Sequence, residues 1–285
     1  MPKSVSVKEL IETIACSCPA YDTKLEELQT HLKCNACNSE YPIKVENSVP
    51  KIHCISTEFD SGLLKDSLSK FNQRHWTPWR IENQKFIREN ILEAQDLVID
   101  IGAGPGVFND LYKSERLLTI DFTNFPQTNL IADLTNSLPL KRNLTNLVIL
   151  SNTLEHIPES EKLLHSVNQV LNMYGQVIVT VPFLLDVHQA PFDFFRFTPF
   201  SLVNLAEKTG FDVTKITASG DIGTFKTLSK HFFQFRIGKG SKMSRLLWQL
   251  QKMVIWACEL SLKDERRMEY CGGYMLVLTK TRNLY

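Results

Sequence analysis

From residue 97 onward the chain alternates short apolar runs with stretches of helical periodicity. Leu97-Val98-Ile99 is a continuous apolar run that ends at Asp100, and Ile101 precedes glycines at 102, 104 and 106. A short apolar run bounded by turn residues reads as a buried strand. The glycines read as a sharp turn where side chains would obstruct a ligand. The pattern predicts a helix over 107–113, whose first N–H groups lack partners within it. Further apolar runs at 117–121, 131–134, 147–152, 177–182, 211–219 and 274–280 predict more strands. Between them, 159–172 reads as a helix, apolar at Leu163, Leu164, Val167, Val170 and Leu171. Residues 198–208 read as another, with Pro199 in its first turn. Residues 81–93 form an amphipathic pattern before the first strand, and 61–68 a weaker helical one. Strands alternating with helices predict an α/β fold built on a parallel sheet.

The turn has the spacing D-x-G-x-G-x-G from Asp100 to Gly106, not the G-x-G-x-x-G of dinucleotide enzymes. Asp121 ends the second strand 15 residues after Gly106, where an acid can accept both hydroxyls of a ribose. Asp133-Leu134 follows, then Ser151-Asn152 and the run Leu154-Glu155-His156-Ile157-Pro158. In this order the motifs resemble the class I S-adenosylmethionine-dependent methyltransferases over 97–213. The resemblance implies a Rossmann-like, seven-stranded sheet with helices on both faces. It implies S-adenosylmethionine as cofactor, with Asp100, Gly102, Ala103, Gly104 and Gly106 along its methionine part. Asp121 and Phe122 would hold the ribose. Asp133 would face the adenine amino group beside Leu134, and Ser151 and Asn152 would lie near the sulfonium. Carboxylates at these strand ends suit a neutral to cationic ligand better than a pyrophosphate. A solvated loop acid is the other reading of Asp133.

Residues 1–55 have a different character. Cys16, Cys18, Cys34 and Cys37 fall within 22 residues, and Cys34-Asn35-Ala36-Cys37 is a C-x-x-C knuckle able to share one tetrahedral zinc. With Cys18-Pro19, Tyr41-Pro42-Ile43 and Val49-Pro50 this segment resembles the zinc-ribbon family of small methyltransferase activators. That family's C-P-x-C places a second thiolate where this chain has Tyr21. Cys16 is the replacement through a C-x-C arrangement, with Cys54 and His53 as further candidates, or else the ribbon has lost its metal. A module this small lacks core area, so a metal would matter to its folding.

Residues 56–96 read as a connector, with Phe71, Arg74, His75, Trp76, Trp79 and Arg80 ahead of the amphipathic helix. In the methyltransferases it resembles, such a segment closes over the cofactor. Packing of the tryptophans against the domain is the plainer reading. Residues 97–285 would be the catalytic domain. After the fifth strand comes a loop with His188, Asp193 and Arg196 among five phenylalanines. Ligands of open parallel sheets bind beyond the carboxyl ends of the strands, where this loop begins. Aromatic walls with a few polar groups suit a small-molecule pocket. Its H-x-x-P-x-D-x-x-R-x-T pattern resembles a subgroup of bacterial methyltransferases of surface-glycan and secondary-metabolite pathways. His188 is the first candidate for a base. Asp193 is the second, or orients it. Arg196 either grips an acceptor carboxylate or phosphate or pairs with Asp193 to pin the loop. His156 reads as part of the Leu-Glu-His turn.

About fifty residues separate the sixth and seventh strands, and between Asp221 and Glu259 there are seven Lys or Arg and no acid. A helix is predicted over 245–262. This insert, 222–262, reads as a cap over the acceptor, a peripheral membrane contact or a dimer contact. Of the whole chain, 43% is hydrophobic and the net charge is +1, which gives no global pull toward nucleic acid. No apolar run is long enough to span a bilayer, and no secretory signal is evident. Seven cysteines suit a reducing cytoplasm. The sequence therefore predicts a cytoplasmic methyltransferase, acting on an oxygen of a polar small molecule or a glycan or secondary-metabolite precursor. Transfer to protein or RNA is one alternative, although Ser151-Asn152-Thr153-Leu154 is not the N-P-P-[YF] type suited to planar amino nitrogens. A cofactor-binding scaffold that activates a partner without catalysis is another. The sequence does not set the oligomeric state.

Overall fold

The computed structural model describes residues 3–16, 18, 25–55, 78–91, 95–112, 114–219, 242–259, 268–269 and 271–284. The predicted helix at 61–68, the Phe71–Trp76 cluster, Tyr21 and most of the 222–262 insert lie outside them.

The chain opens with β1 (Lys3–Ser4) and α1 (Val7–Thr13), capped by a box in which Ser6 accepts from the Glu9 amide and Glu9 accepts from that of Ser6. Four short strands follow: β2 (Leu25–Glu27), β3 (His31–Cys34), β4 (Glu40–Glu46) and β5 (Val49–His53). Helix α2 (Pro78–Asn90) leads into β6 (Gln95–Ile101), β7 (Ser114–Asp121), β8 (Leu130–Ile131) and β9 (Thr145–Ser151). Then come α3 (Ser160–Val170), β10 (Leu171–Pro182), α4 (Pro199–Lys208), β11 (Phe211–Ala218), α5 (Lys242–Glu259) and β12 (Gly273–Lys280).

Among the described residues the sheet runs β11-β12-β10-β9-β6-β7-β8-β5-β4-β3-β2, eleven strands in one path. The seven from β11 to β8 are the predicted α/β sheet, with β6 to β10 parallel and β12 antiparallel between β10 and β11. The expectation of seven strands is corrected by the rest of the path. Strand β5 pairs in parallel with β8, Ile52 against Leu130 and His53 against Ile131. The antiparallel strands β4, β3 and β2 continue outward from it. The exposed edge of β8 is thereby covered by the N-terminal segment, which removes an unpaired row of backbone donors and acceptors. Short β1 also pairs beside β7. Val5, Leu10, Ile14, Leu32, Tyr41 and Ile52 join the same buried cluster as Ile99, Leu118 and Leu130. Each such side chain contributes roughly 1.5–3 kcal/mol by leaving water.

Two other elements differ from the pattern. Among the described residues no α-helix follows the glycines: 107–112 holds turns and a three-residue 3₁₀ segment, Asn109–Leu111. The third strand stops at Ile131 because Asp133 accepts from the Thr135 amide and hydroxyl and from Asn136 Nδ2, which closes a turn there. Helix α5 begins three residues before the predicted start, and Met243, Leu246, Leu250, Met253, Val254 and Trp256 on it are exposed. No helix among the described residues is long and apolar enough to cross a membrane.

Candidate functional site

Strand order reverses between β6 and β9: the chain goes from β6 outward through β7 to β8, then returns to the other side of β6. A crevice opens at such a point beyond the strand ends. The glycine turn leaves β6 there, and Ser151 and Asn152 leave β9 beside it.

Gly102, Gly104 and Gly106 all have positive φ, at 72°, 53° and 71°. A Cβ on Gly102 would lie 2.4 Å from Thr153 Oγ1, whereas one on Gly104 would meet nothing within 4 Å. The turn is thus packed at its base and open above Gly104. Its amide donates to Asp121 Oδ2 (2.9 Å), and the Thr123 amide donates to Asp121 Oδ1 (2.8 Å). Burial pushes the Asp121 carboxyl up to about 6, against those amide hydrogen bonds. Asp100 lies beneath, accepting from the Tyr112 hydroxyl at 2.6 Å, and burial raises it to about 7. Ala103 and Phe122 are half-buried beside these groups, and Leu134 is buried. Asp133 keeps its carboxyl within its own turn, as above.

Ser151 Oγ is 3.0 Å from Thr180 Oγ1, and Asn152, with φ of 53°, donates to Ser151 Oγ. Trp79 Nε1 donates to Asn152 Oδ1 at 2.7 Å, and the indole fills the space where Gly273 lacks a Cβ. The start of α2 is thereby fixed over the ends of β9 and β12. One turn along, Asn83 is fully buried with neither side-chain polar atom partnered. The Trp79–Asn152 bond joins residues 73 apart. The sequence signalled it only through the clustering of aromatics near Trp79, and nothing in it singled out Asn83.

The loop after β10 docks on the turn after β9. The amides of Phe194 and Phe195 donate to the Glu155 carbonyl, and His156 Nδ1 meets the Phe192 carbonyl. His188, Asp193 and Arg196 come together. Asp193 accepts from the His188 amide (2.8 Å), and its Oδ2 lies 3.4 Å from His188 Nδ1. Arg196 grips Asp193 through two nitrogens, at 2.6 and 2.7 Å, and also donates to the carbonyls of Leu185, Asp186 and Phe195. Its five N–H donors are all engaged. It pins the loop, and in this arrangement none is left for an acceptor anion. The guanidinium holds the Asp193 carboxyl down at about 2. His156 and His188 meet edge to face, ring centroids 5.0 Å apart. Glu155 is fully buried, neither carboxylate oxygen has a hydrogen-bond partner, and burial raises it to about 8.

The four cysteines of the N-terminal segment converge. Cys16 Sγ is 3.4 Å from Cys37 Sγ and Cys18 Sγ 3.9 Å from Cys34 Sγ, and all four sulfurs lie within 4.8 Å of one another. Thiolates at about 2.3 Å from a tetrahedral zinc are about 3.8 Å apart, so the set fits that ion. Cys16 takes the fourth corner, held by the Tyr41 hydroxyl at 2.9 Å. Neither His53 nor Cys54 joins the cluster.

No family model matches the chain, and no curated protein matches it in sequence. Solved structures do match in fold. One belongs to the complex between the Haloferax volcanii methyltransferase activator Trm112 and its proposed methyltransferase. It is 15% identical, with a TM-score of 0.52, and the match covers 80% of this chain and 100% of that one. Another is the [4+2]-cyclase SpnF, at 14% identity and TM-score 0.50, covering 77% of this chain and 93% of that one. At these identities the likeness is one of fold, the α/β fold of class I methyltransferases. A cyclase among the matches shows that this fold does not by itself set the reaction.

Proposed function

We propose that the protein is an S-adenosylmethionine-dependent methyltransferase acting on an oxygen of a polar small molecule or a glycan or secondary-metabolite precursor. The observation that carries this reading is the open space above Gly104, whose amide donates to the buried Asp121 carboxylate, with Ser151 and Asn152 at the end of the neighbouring strand β9. The turn's positive φ angles keep side chains out of that space. Asp121 has acceptor capacity beyond its two amide bonds for a ribose, with Phe122 beside it. When bound, S-adenosylmethionine supplies an already activated methyl group on a sulfonium. The chain's own task is then to hold an acceptor oxygen in line and remove its proton. His188 stands at the same end of the sheet, with Nδ1 turned toward Asp193 and the Asp186 carbonyl. Its other ring nitrogen would take the proton of the acceptor hydroxyl. Asp193 orients the imidazole and Arg196 fixes Asp193.

The cysteine cluster holds one structural zinc in the cytoplasm, its four protein ligands leaving no position for substrate. The 222–262 insert covers the acceptor. Calorimetry with S-adenosylmethionine, followed by a metabolite screen with a methyl-labelled cofactor, tests the reading. Absence of binding would remove it. Binding without transfer to any acceptor class would favour the scaffold alternative.

A further inference from the structure

The turn after β9 and the loop after β10 bring together three side chains with metal-ligating atoms. Glu155, His156 and His188 each present one such atom, all within 4.8 Å of one another. In two of the three the candidate ligand atoms are buried and make no hydrogen bond. Both Glu155 carboxylate oxygens and His156 Nε2 have no hydrogen bond, and Glu155 is fully inaccessible to solvent. A buried carboxyl with neither oxygen bonded is unsatisfied, and it ionises there only beside a positive charge. The nearest positive group on the loop, Arg196, is committed to Asp193 and to three carbonyls. His156 Nε2 lies 3.7 Å from Glu155 Oε1, too far for a hydrogen bond and close enough to share an ion.

The second layer supports the same assignment. His156 Nδ1 is held by the Phe192 carbonyl, which fixes the tautomer and leaves the Nε2 lone pair pointing at Glu155. His188 Nδ1 lies 3.2 Å from the Asp186 carbonyl and 3.4 Å from Asp193, which leaves its Nε2 free. Ring N–H groups held by carbonyls and carboxylates are the usual support of metal-bound histidines. Ligand atoms around an ion at about 2.1 Å stand up to about 4.2 Å apart, so a small inward shift of His188 closes the set. Its side chain is 28% exposed, which gives it room to move and the ion a way in.

We infer that Glu155, His156 and His188 form a binding site for one divalent cation of the manganese or zinc type, with open positions that chelate two neighbouring oxygens of the acceptor. Two histidines and one carboxylate leave such positions. The site begins three residues beyond Asn152, at the end of the sheet where the methyl group is delivered. This deepens the methyltransferase reading, and rests on it for the role of the ion though not for its binding. With the ion in place His188 would be a ligand in place of the base assigned above, and the ion would supply the acidification of an acceptor hydroxyl, whose proton would go to water.

Manganese separates this site from the thiolates, which favour softer ions. The probe is Mn²⁺ added to full-length, zinc-loaded protein, with free ion measured by electron paramagnetic resonance. One bound equivalent is expected. His188→Ala, at the partly exposed position, and Glu155→Gln should weaken it by more than the roughly 10–100-fold that loss of an outer partner causes. Circular dichroism melts confirm that both variants fold. No binding tighter than about 1 mM, or equal binding in wild type and both variants, would overturn the site. Cofactor affinity measured on the same samples keeps the two readings apart. Mn²⁺ bound without cofactor leaves the cation site and removes the methyltransferase, and the reverse result removes only the cation.

Discussion

Gly102 and Gly104 share a left-handed backbone and differ in what a side chain would meet. Alanine at either position carries about 1–2 kcal/mol of backbone cost. Gly102→Ala adds a contact of 2.4 Å with Thr153, whose hydroxyl donates to the Ile101 carbonyl and cannot move freely. It should melt well below Gly104→Ala. The methyl group of Gly104→Ala instead enters the open space, so this variant should lose more cofactor affinity for each degree of melting temperature lost. Calorimetry beside thermal melts reads both. At Asp121, removal of the carboxylate should weaken cofactor binding by about 1.5–3 kcal/mol, the range for hydrogen bonds to a charged group. Binding uses the ionised form, and burial places its titration near 6. Affinity should therefore be full above that pH and fall as pH drops through it, and Asp121→Ala should lose this dependence. A wild-type affinity flat between pH 5 and 8 would remove Asp121 from the ribose.

At the scale of elements, the loop after β10 depends on one guanidinium. Arg196→Lys keeps the charge but loses the fork that grips Asp193 and reaches three carbonyls. Turnover should fall while cofactor affinity stays, and stability should drop by on the order of 1–3 kcal/mol. A variant with normal turnover would detach the loop from the acceptor. The strands of the α/β sheet were legible because both faces are covered, so that Val98-Ile99 and Val148-Ile149-Leu150 are apolar without alternation. The stretch after the glycines misled for a related reason. Val107, Phe108, Leu111 and Tyr112 have helical spacing, yet Tyr112 is tied back to Asp100 and only three residues coil. Pairing across the chain left no local trace at all. Nothing in Ile52 or Leu130 announces that they sit side by side in adjacent strands. The cysteine cluster was readable because knuckle spacing is local, and Cys16 completes it from just two residues before Cys18.

At the scale of the molecule, deletion of 222–262 should spare cofactor binding and abolish acceptor methylation. Normal turnover in the truncated protein would make the insert a membrane or partner contact. Metal analysis should give one zinc per chain, and none in folded protein would mean an empty ribbon. The covered edge of β8 has a wider consequence. Lys51, 1% exposed on β5, donates to Asn124 Oδ1 and the Phe125 carbonyl and pairs with Glu46 at 3.2 Å. Asn124 and Phe125 belong to the segment that leaves Asp121, and β8 leads directly to Asp133 and Leu134. The N-terminal strands therefore back the segment on which the proposed ribose and adenine contacts lie. If the cluster holds zinc and the crevice the cofactor, the two would be coupled through that segment, and such coupling is reciprocal. Stripping the metal should loosen the cofactor, saturating cofactor should tighten zinc affinity, measured in competition with a chelator, by the same free energy, and Lys51→Met should uncouple the two. In this chain the oxidation state of four thiols would then govern how firmly an adenosine is held on the far side of the sheet edge.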